Sequence, residues 1–184
     1  MPSIGLIVEG IYDEAALTEF VRKCLSTEVT VVCRPCAGVP QLMKLFPGFL
    51  KEFEHVNAGL PVDKGIVIRD ADQKIPEALI SQMESKISGR IYPFPAKCLV
   101  IVQKLETWLL ADDQALSTVT GRTQRRITNP ERIIDPKVRL RKVLSDVQID
   151  YTAVIARKIA AAARPNVLAT RCASFRKFQE AVIG

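Results

Sequence analysis

The sequence predicts an α/β fold with a four-stranded parallel sheet and a basic helical extension, and three observations carry that expectation. Residues 3–8, 29–33, 65–68 and 98–102 are short apolar runs without polar alternation, as in strands covered on both faces. The stretches between them carry apolar residues at helical spacing, so strand and helix alternate as in βαβ units. Charge then divides the chain: residues 1–115 hold twelve Lys and Arg against fifteen Asp and Glu, whereas residues 116–184 hold fourteen against five. A doubly wound core over 1–115, with 116–184 packed on it, is the expected organisation.

The first strand, 3–8, stops at Glu9-Gly10, and Asp13 is placed to cap a helix through Cys24 with Ala16, Leu17, Phe20 and Val21 on one face. The β-branched run 29–33 is the second strand. Residues 40–56 read as a helix kinked near Pro47-Gly48. The third strand, 65–68, ends at Arg69-Asp70, and Pro76 suits the first turn of a helix reaching Ile87. The fourth strand, 98–102, feeds a helix beginning near Lys104 or Leu105. Beyond Ala115 the strand signal fades: 117–129 reads as a basic polar loop, and 130–144, 151–164 and 169–182 as helices.

Composition excludes several classes. With 48% hydrophobic and 25% charged residues the chain is that of an ordinary globular protein. No apolar run approaches the roughly 18 residues of a membrane span, and the first residues lack a signal peptide's basic flank, so a cytoplasmic location and no membrane partner are expected. Five scattered cysteines point to free thiols. Cys33-Arg34-Pro35-Cys36 has redox-pair spacing, but a zinc site would need ligands that the single histidine, His55, does not complete. Phosphate-binding glycine loops are missing. The net charge of +6, concentrated in the last third, suits a polyanionic partner.

Chemistry concentrates in the acids that follow strands. In an open parallel sheet, functional loops lie beyond the carboxyl ends of the strands, which puts Glu9 and the pair Asp70 and Asp72 at one rim. Three carboxylates so placed repel one another unless a cation neutralises them, and Mg²⁺ prefers such hard oxygen donors. Taken alone, Asp70 and Asp72 are better explained as cap or turn residues and Glu9 as an acid near a helix N-terminus; together, after core strands, they favour a site.

The order of a strand, Glu9-Gly10, a helix and a later strand ending in Asp70-Ala71-Asp72 resembles the Toprim fold. Topoisomerases, bacterial primases and nucleases of the overcoming-lysogenization-defect (OLD) type share that Rossmann-like fold. More narrowly, Val8-Glu9-Gly10 with Asp13-Glu14, the run from Glu106 to Asp112, and Arg171-Cys172-Ala173-Ser174-Phe175 resemble a bacterial family of small Toprim-like proteins without an assigned activity.

The resemblance implies Glu9 as general acid/base and metal ligand, Asp70 and Asp72 as metal ligands, and Glu106 and Asp112 as a further acidic pair. It implies Mg²⁺ or Mn²⁺ as cofactor, a nucleic-acid substrate with DNA as first choice, and phosphodiester hydrolysis. Arg69, Lys74 and Arg34 are candidates to neutralise phosphate charge, with Arg69 and Lys74 grouped with Glu9 as catalytic. Related nucleases carry or accompany an ATPase, so a metal-free module binding nucleic acid or a partner ATPase of a defence system is the second expectation. A haloacid-dehalogenase-like phosphatase with Asp70 as nucleophile is the third, although Gln73-Lys74 departs from its pattern and it leaves Glu9 without a role.

Overall fold

A computed structural model describes residues 1–25 and 27–184. Its elements run β1 (Ser3–Val8), α1 (Ile11–Leu25), β2 (Thr30–Pro35), α2 (Val39–Glu52), β3 (Lys64–Asp70), α3 (Pro76–Ile87), β4 (Ala96–Ile101), α4 (Glu106–Ala111), α5 (Asp113–Thr120), a 3-10 turn (Pro130–Arg132), α6 (Pro136–Ser145), α7 (Ala153–Ala162), α8 (Pro165–Arg171) and α9 (Ala173–Ile183). The four strands are parallel in the order β2-β1-β3-β4, the expected Rossmann-like α/β arrangement. All of β1 is buried, which explains its unbroken apolar sequence.

Side-chain alternation along the strands supplies two cores. Leu6, Val8, Ile66, Ile68 and Ile101 face a cluster shared with α1 and with the helices after β4. Ile7, Val67, Cys98 and Val100 face α2 and α3. In the first cluster Trp108 packs edge-on against Phe175 at 4.9 Å, and Phe20 against Phe175 at 5.2 Å. The Trp108 indole donates to Ser174 Oγ at 2.9 Å, Ser174 donates to Glu131, and the Glu131 carboxylate also accepts the Ala173 and Ser174 amides that begin α9. Glycine is required where helix meets sheet most closely: a Cβ on Gly5 would lie 2.3 Å from the Phe53 ring.

The structure differs from expectation at helix boundaries. Helix α2 runs unbroken through Pro47 and stops at Glu52. The helix after β4 is two helices, because Asp112 leaves helical geometry and its side chain accepts from the Gln114 and Ala115 amides to start α5. Helix α5 continues to Thr120, so the basic loop begins only at the left-handed Gly121. The span 130–144 divides because Asp135 caps a new helix at Pro136. Extended Cys172, φ −130° and ψ 110°, separates α8 from α9.

Candidate functional site at the carboxyl ends of the strands

After β1 the chain pairs β2 on one side of it, then crosses back to place β3 on the other. The carboxyl ends of β1 and β3 therefore flank the topological switch point, where an open parallel sheet leaves a crevice. Glu9 leaves β1 there, and its Oε1 accepts the Asp70 backbone N–H at 2.9 Å. Glu9 O also accepts the Gly38 amide at 2.9 Å, drawing the start of α2 to the same rim.

A cleft of ≈ 230 Å³ opens at this point, and Glu9, Asp13, Asp70, Asp72 and Glu106 line it together with Lys104. Each acid arrives by a different local device. Asp13 lies in the first turn of α1, and Glu106 begins α4 and is 3% exposed. Asp70 closes β3, whereas Asp72 sits in the turn beyond it. That turn is tied to the β4 exit by hydrogen bonds from Ala71 N to Ile101 O, 2.9 Å, and from Asp72 N to Gln103 O, 3.0 Å. Asp72, Gln73 and Gln103 adopt φ of 47°, 65° and 63°, left-handed geometry that costs a side-chain-bearing residue about 1 kcal/mol each. Such strain persists where surrounding contacts fix the chain, as they do around this cleft.

The electrostatics follow from crowding like charges in a partly buried place. Burial, and then the charges of Asp13, Glu9, Glu106 and Asp72, push the Asp70 carboxyl well above its ordinary pKa. Its Oδ1 is buried with no hydrogen-bond partner. Burial followed by Glu9 and Glu106 lifts Asp13 to about 7. Glu9 is raised by burial against the lowering effect of the Asp70 amide. Tyr151, buried beside Glu106, is raised chiefly by burial. Two cations answer this charge: Lys104 Nζ lies 3.1 Å from Asp72, and Lys137 of α6 reaches the cleft with its Nζ 5.4 Å from the centre of the Tyr12 ring. Burial opposes the Lys104 charge, but its bond to Asp72 and the nearby acids hold its pKa above the ordinary value.

Of the residues singled out in the sequence, Glu9, Asp70, Asp72 and Glu106 converge here. The others do not line it. Arg164 takes Asp112 through its backbone N at 3.0 Å, its Nε at 2.9 Å and a terminal nitrogen at 2.7 Å, which leaves Asp112 to join α5 to α8. Arg69 is buried without lining the cleft, its Nε having no partner, although its charge acts on Glu9. Lys74 is exposed in the turn before α3, and Arg34 pairs with Glu52.

Asp13 is the functional candidate that sequence reasoning assigned only a capping role; the available signal was its place in the first turn of the helix that starts just after Glu9, at the same rim. Lys137 had no signal, because its position depends on α6 packing against α4. Among the described residues, no three Asp, Glu, His or Cys side chains are gathered closely enough to form a ready-made metal cage. The carboxylates remain an all-oxygen donor set with one buried oxygen unpaired, which fits a hard divalent cation.

A family model described as Domain of unknown function (DUF4276) matches residues 8–183. Comparison with curated proteins and with solved structures gives no match.

Proposed function

We propose that this chain, which belongs to the DUF4276 family, is a divalent-metal-dependent phosphodiester hydrolase of Toprim type acting on nucleic acid, with DNA as the first substrate to test. The observation that carries the reading is the buried, unpaired Oδ1 of Asp70 in a cleft lined by four other carboxylates. A buried polar oxygen left without a partner among like charges is costly and persists where binding rewards it. Asp70, Asp13 and Glu106, with Glu9 and Asp72 beside them, would hold Mg²⁺ or Mn²⁺. The cation would offset their charge and polarise a phosphodiester.

The remaining work falls to the chain itself. Glu9, whose affinity for protons is raised by burial, takes the proton of the attacking water as the water oxygen bonds to phosphorus, while the opposite P–O ester bond breaks and the departing oxygen takes a proton from solvent. Lys104 and Lys137 at the cleft meet phosphate oxygens, a task the sequence assigned to Arg69, Lys74 and Arg34. Arg69 acts from behind, where its charge limits the rise of Glu9. The basic last third draws the polyanion to the cleft.

Plasmid and short duplexes incubated with Mg²⁺ or Mn²⁺ test the reading. Wild-type protein is expected to cleave at least 100-fold faster than Asp70→Ala or Glu9→Gln, about the scale of losing an acid/base group. Equal background cutting by all three overturns it. One observation favours a second reading, a metal-free module binding nucleic acid or a partner ATPase: Lys104 already occupies Asp72 at 3.1 Å. Under that reading nucleic acid binds while millimolar Mn²⁺ does not.

A further inference from the structure

Strand β4 is the last of the sheet, so one of its edges faces away from β3. Pro95 O accepts from Gly65 N and Ile101 O accepts from Ala71 N, which fixes the odd-numbered peptide groups toward β3. Ala96, Cys98 and Val100 therefore turn their N–H and C=O groups outward.

Two cavities lie along that edge between α3 and α9. One of ≈ 480 Å³ is lined by Lys64, Lys97, Leu99 and Lys177, and one of ≈ 160 Å³ by Pro76, Ile80, Leu99, Val100 and Lys177. Leu99 and Lys177 belong to both, so the two form one groove. Leu99 and Val100 point to opposite faces of the sheet, yet both line the smaller cavity, which consequently straddles the strand's outer edge.

The two walls differ in chemistry. On the α9 side stand Lys64, Lys97 and Lys177 against a single acid, Glu180. Neither Lys97 nor Lys177 has an ion-pair partner among the described residues, while Lys64 spends one hydrogen bond on Val182 O at 2.9 Å. On the α3 side the wall is mainly apolar, Pro76 and Ile80, with Glu77 its only charge.

We propose that the β4 edge receives an extended segment of a partner protein as a fifth strand, with acidic residues at alternate positions facing the lysines and apolar residues between them facing Pro76 and Ile80. Alternation is required because successive side chains of an added strand point to opposite walls. The outward peptide groups supply affinity, and the lysine wall supplies the choice of an acidic segment. The site is distinct from the acidic cleft in its lining: no residue of either cavity lines the cleft, although the groove's end at Val100 and Val102 lies level with Asp70.

The test titrates the full chain calorimetrically with a blocked peptide of about eight residues alternating Glu and Val, long enough to span the six-residue β4. A Lys/Val peptide serves as control, and backbone hydrogen exchange is followed at Ala96, Cys98 and Val100. Expected are preference for the Glu/Val peptide, slowed exchange at those three amides, and about tenfold weaker binding by the Lys97→Glu, Lys177→Glu double variant. Val100→Pro removes an outward donor without breaking the β3 ladder and is also expected to weaken binding. Asp70→Ala is expected to bind as wild type does, so failure here and failure of the nuclease reading are separate results. Equal binding of the two peptides, unchanged exchange, or a dimer in sedimentation that itself protects these amides overturns the proposal, the last by giving the edge to a second copy.

Discussion

At the scale of single residues, stability and chemistry oppose each other at Asp70. Its Oδ1 is buried without a partner, and four other carboxylates line the same cleft. An amide in its place keeps the volume and removes the charge, so Asp70→Asn is expected to stabilise the metal-free protein by about 1 kcal/mol, raising Tm by about 2–4 °C. The same change is expected to abolish cleavage and the thermal shift that Mn²⁺ gives the wild type. Thermal melts with and without Mn²⁺ check this, and a lower Tm for metal-free Asp70→Asn would mean that the carboxylate has an internal partner after all. Asp112 is the opposite case, a fully buried acid whose oxygens are both engaged. Sequence could not separate the two, since both are aspartates at the ends of elements and Arg164, fifty-two residues away, decides the matter.

Among the elements, that same contact decides where helices break. Asp112 ends α4, caps α5 and grips the residue before α8. Burial alone would raise its pKa, but the hydrogen bonds from Arg164 outweigh burial and hold it below the ordinary carboxylate value. A depressed folded pKa means that Asp112 contributes fully above about pH 4 and that its contribution is lost as the pH falls through the lowered value. Acid unfolding below pH 4 is therefore expected to be less steep for Asp112→Asn than for wild type. At pH 7 that variant is expected to be about 1–3 kcal/mol less stable by urea unfolding. The strands and the acidic rim were legible because dense β-branched runs and acids just after them are local signals. The breaks at Asp112 and Cys172 were not, because a continuous helical pattern runs across both, and the one at Asp112 depends on its bonds to distant Arg164 as well as on its own cap of α5. Helix α2 errs in the other direction, keeping Pro47 inside a helix whose Leu42, Phe46 and Leu50 are buried.

For the molecule as a whole, the basic last third and the acidic first part share one interior. Leu140, Ile159, Phe175 and Phe178 lie in the same buried cluster as Leu6, Leu17 and Phe20. Removing residues 116–184 leaves only α1, α4 and the start of α5 on one face of the sheet and uncovers most of their buried cluster, a loss larger than the 5–15 kcal/mol of a typical domain. A fragment of residues 1–115 is expected to show no cooperative melt by circular dichroism, and a sharp transition would instead show that the α/β core is self-sufficient. The shared interior also gives the protein an internal witness. The only tryptophan in the sequence, Trp108, stands two residues from Glu106 and is bonded to the first turn of α9. Its ultraviolet emission therefore reports the cleft and the helical extension at once, and occupancy of one can be watched, without a label, through the surroundings of a single indole.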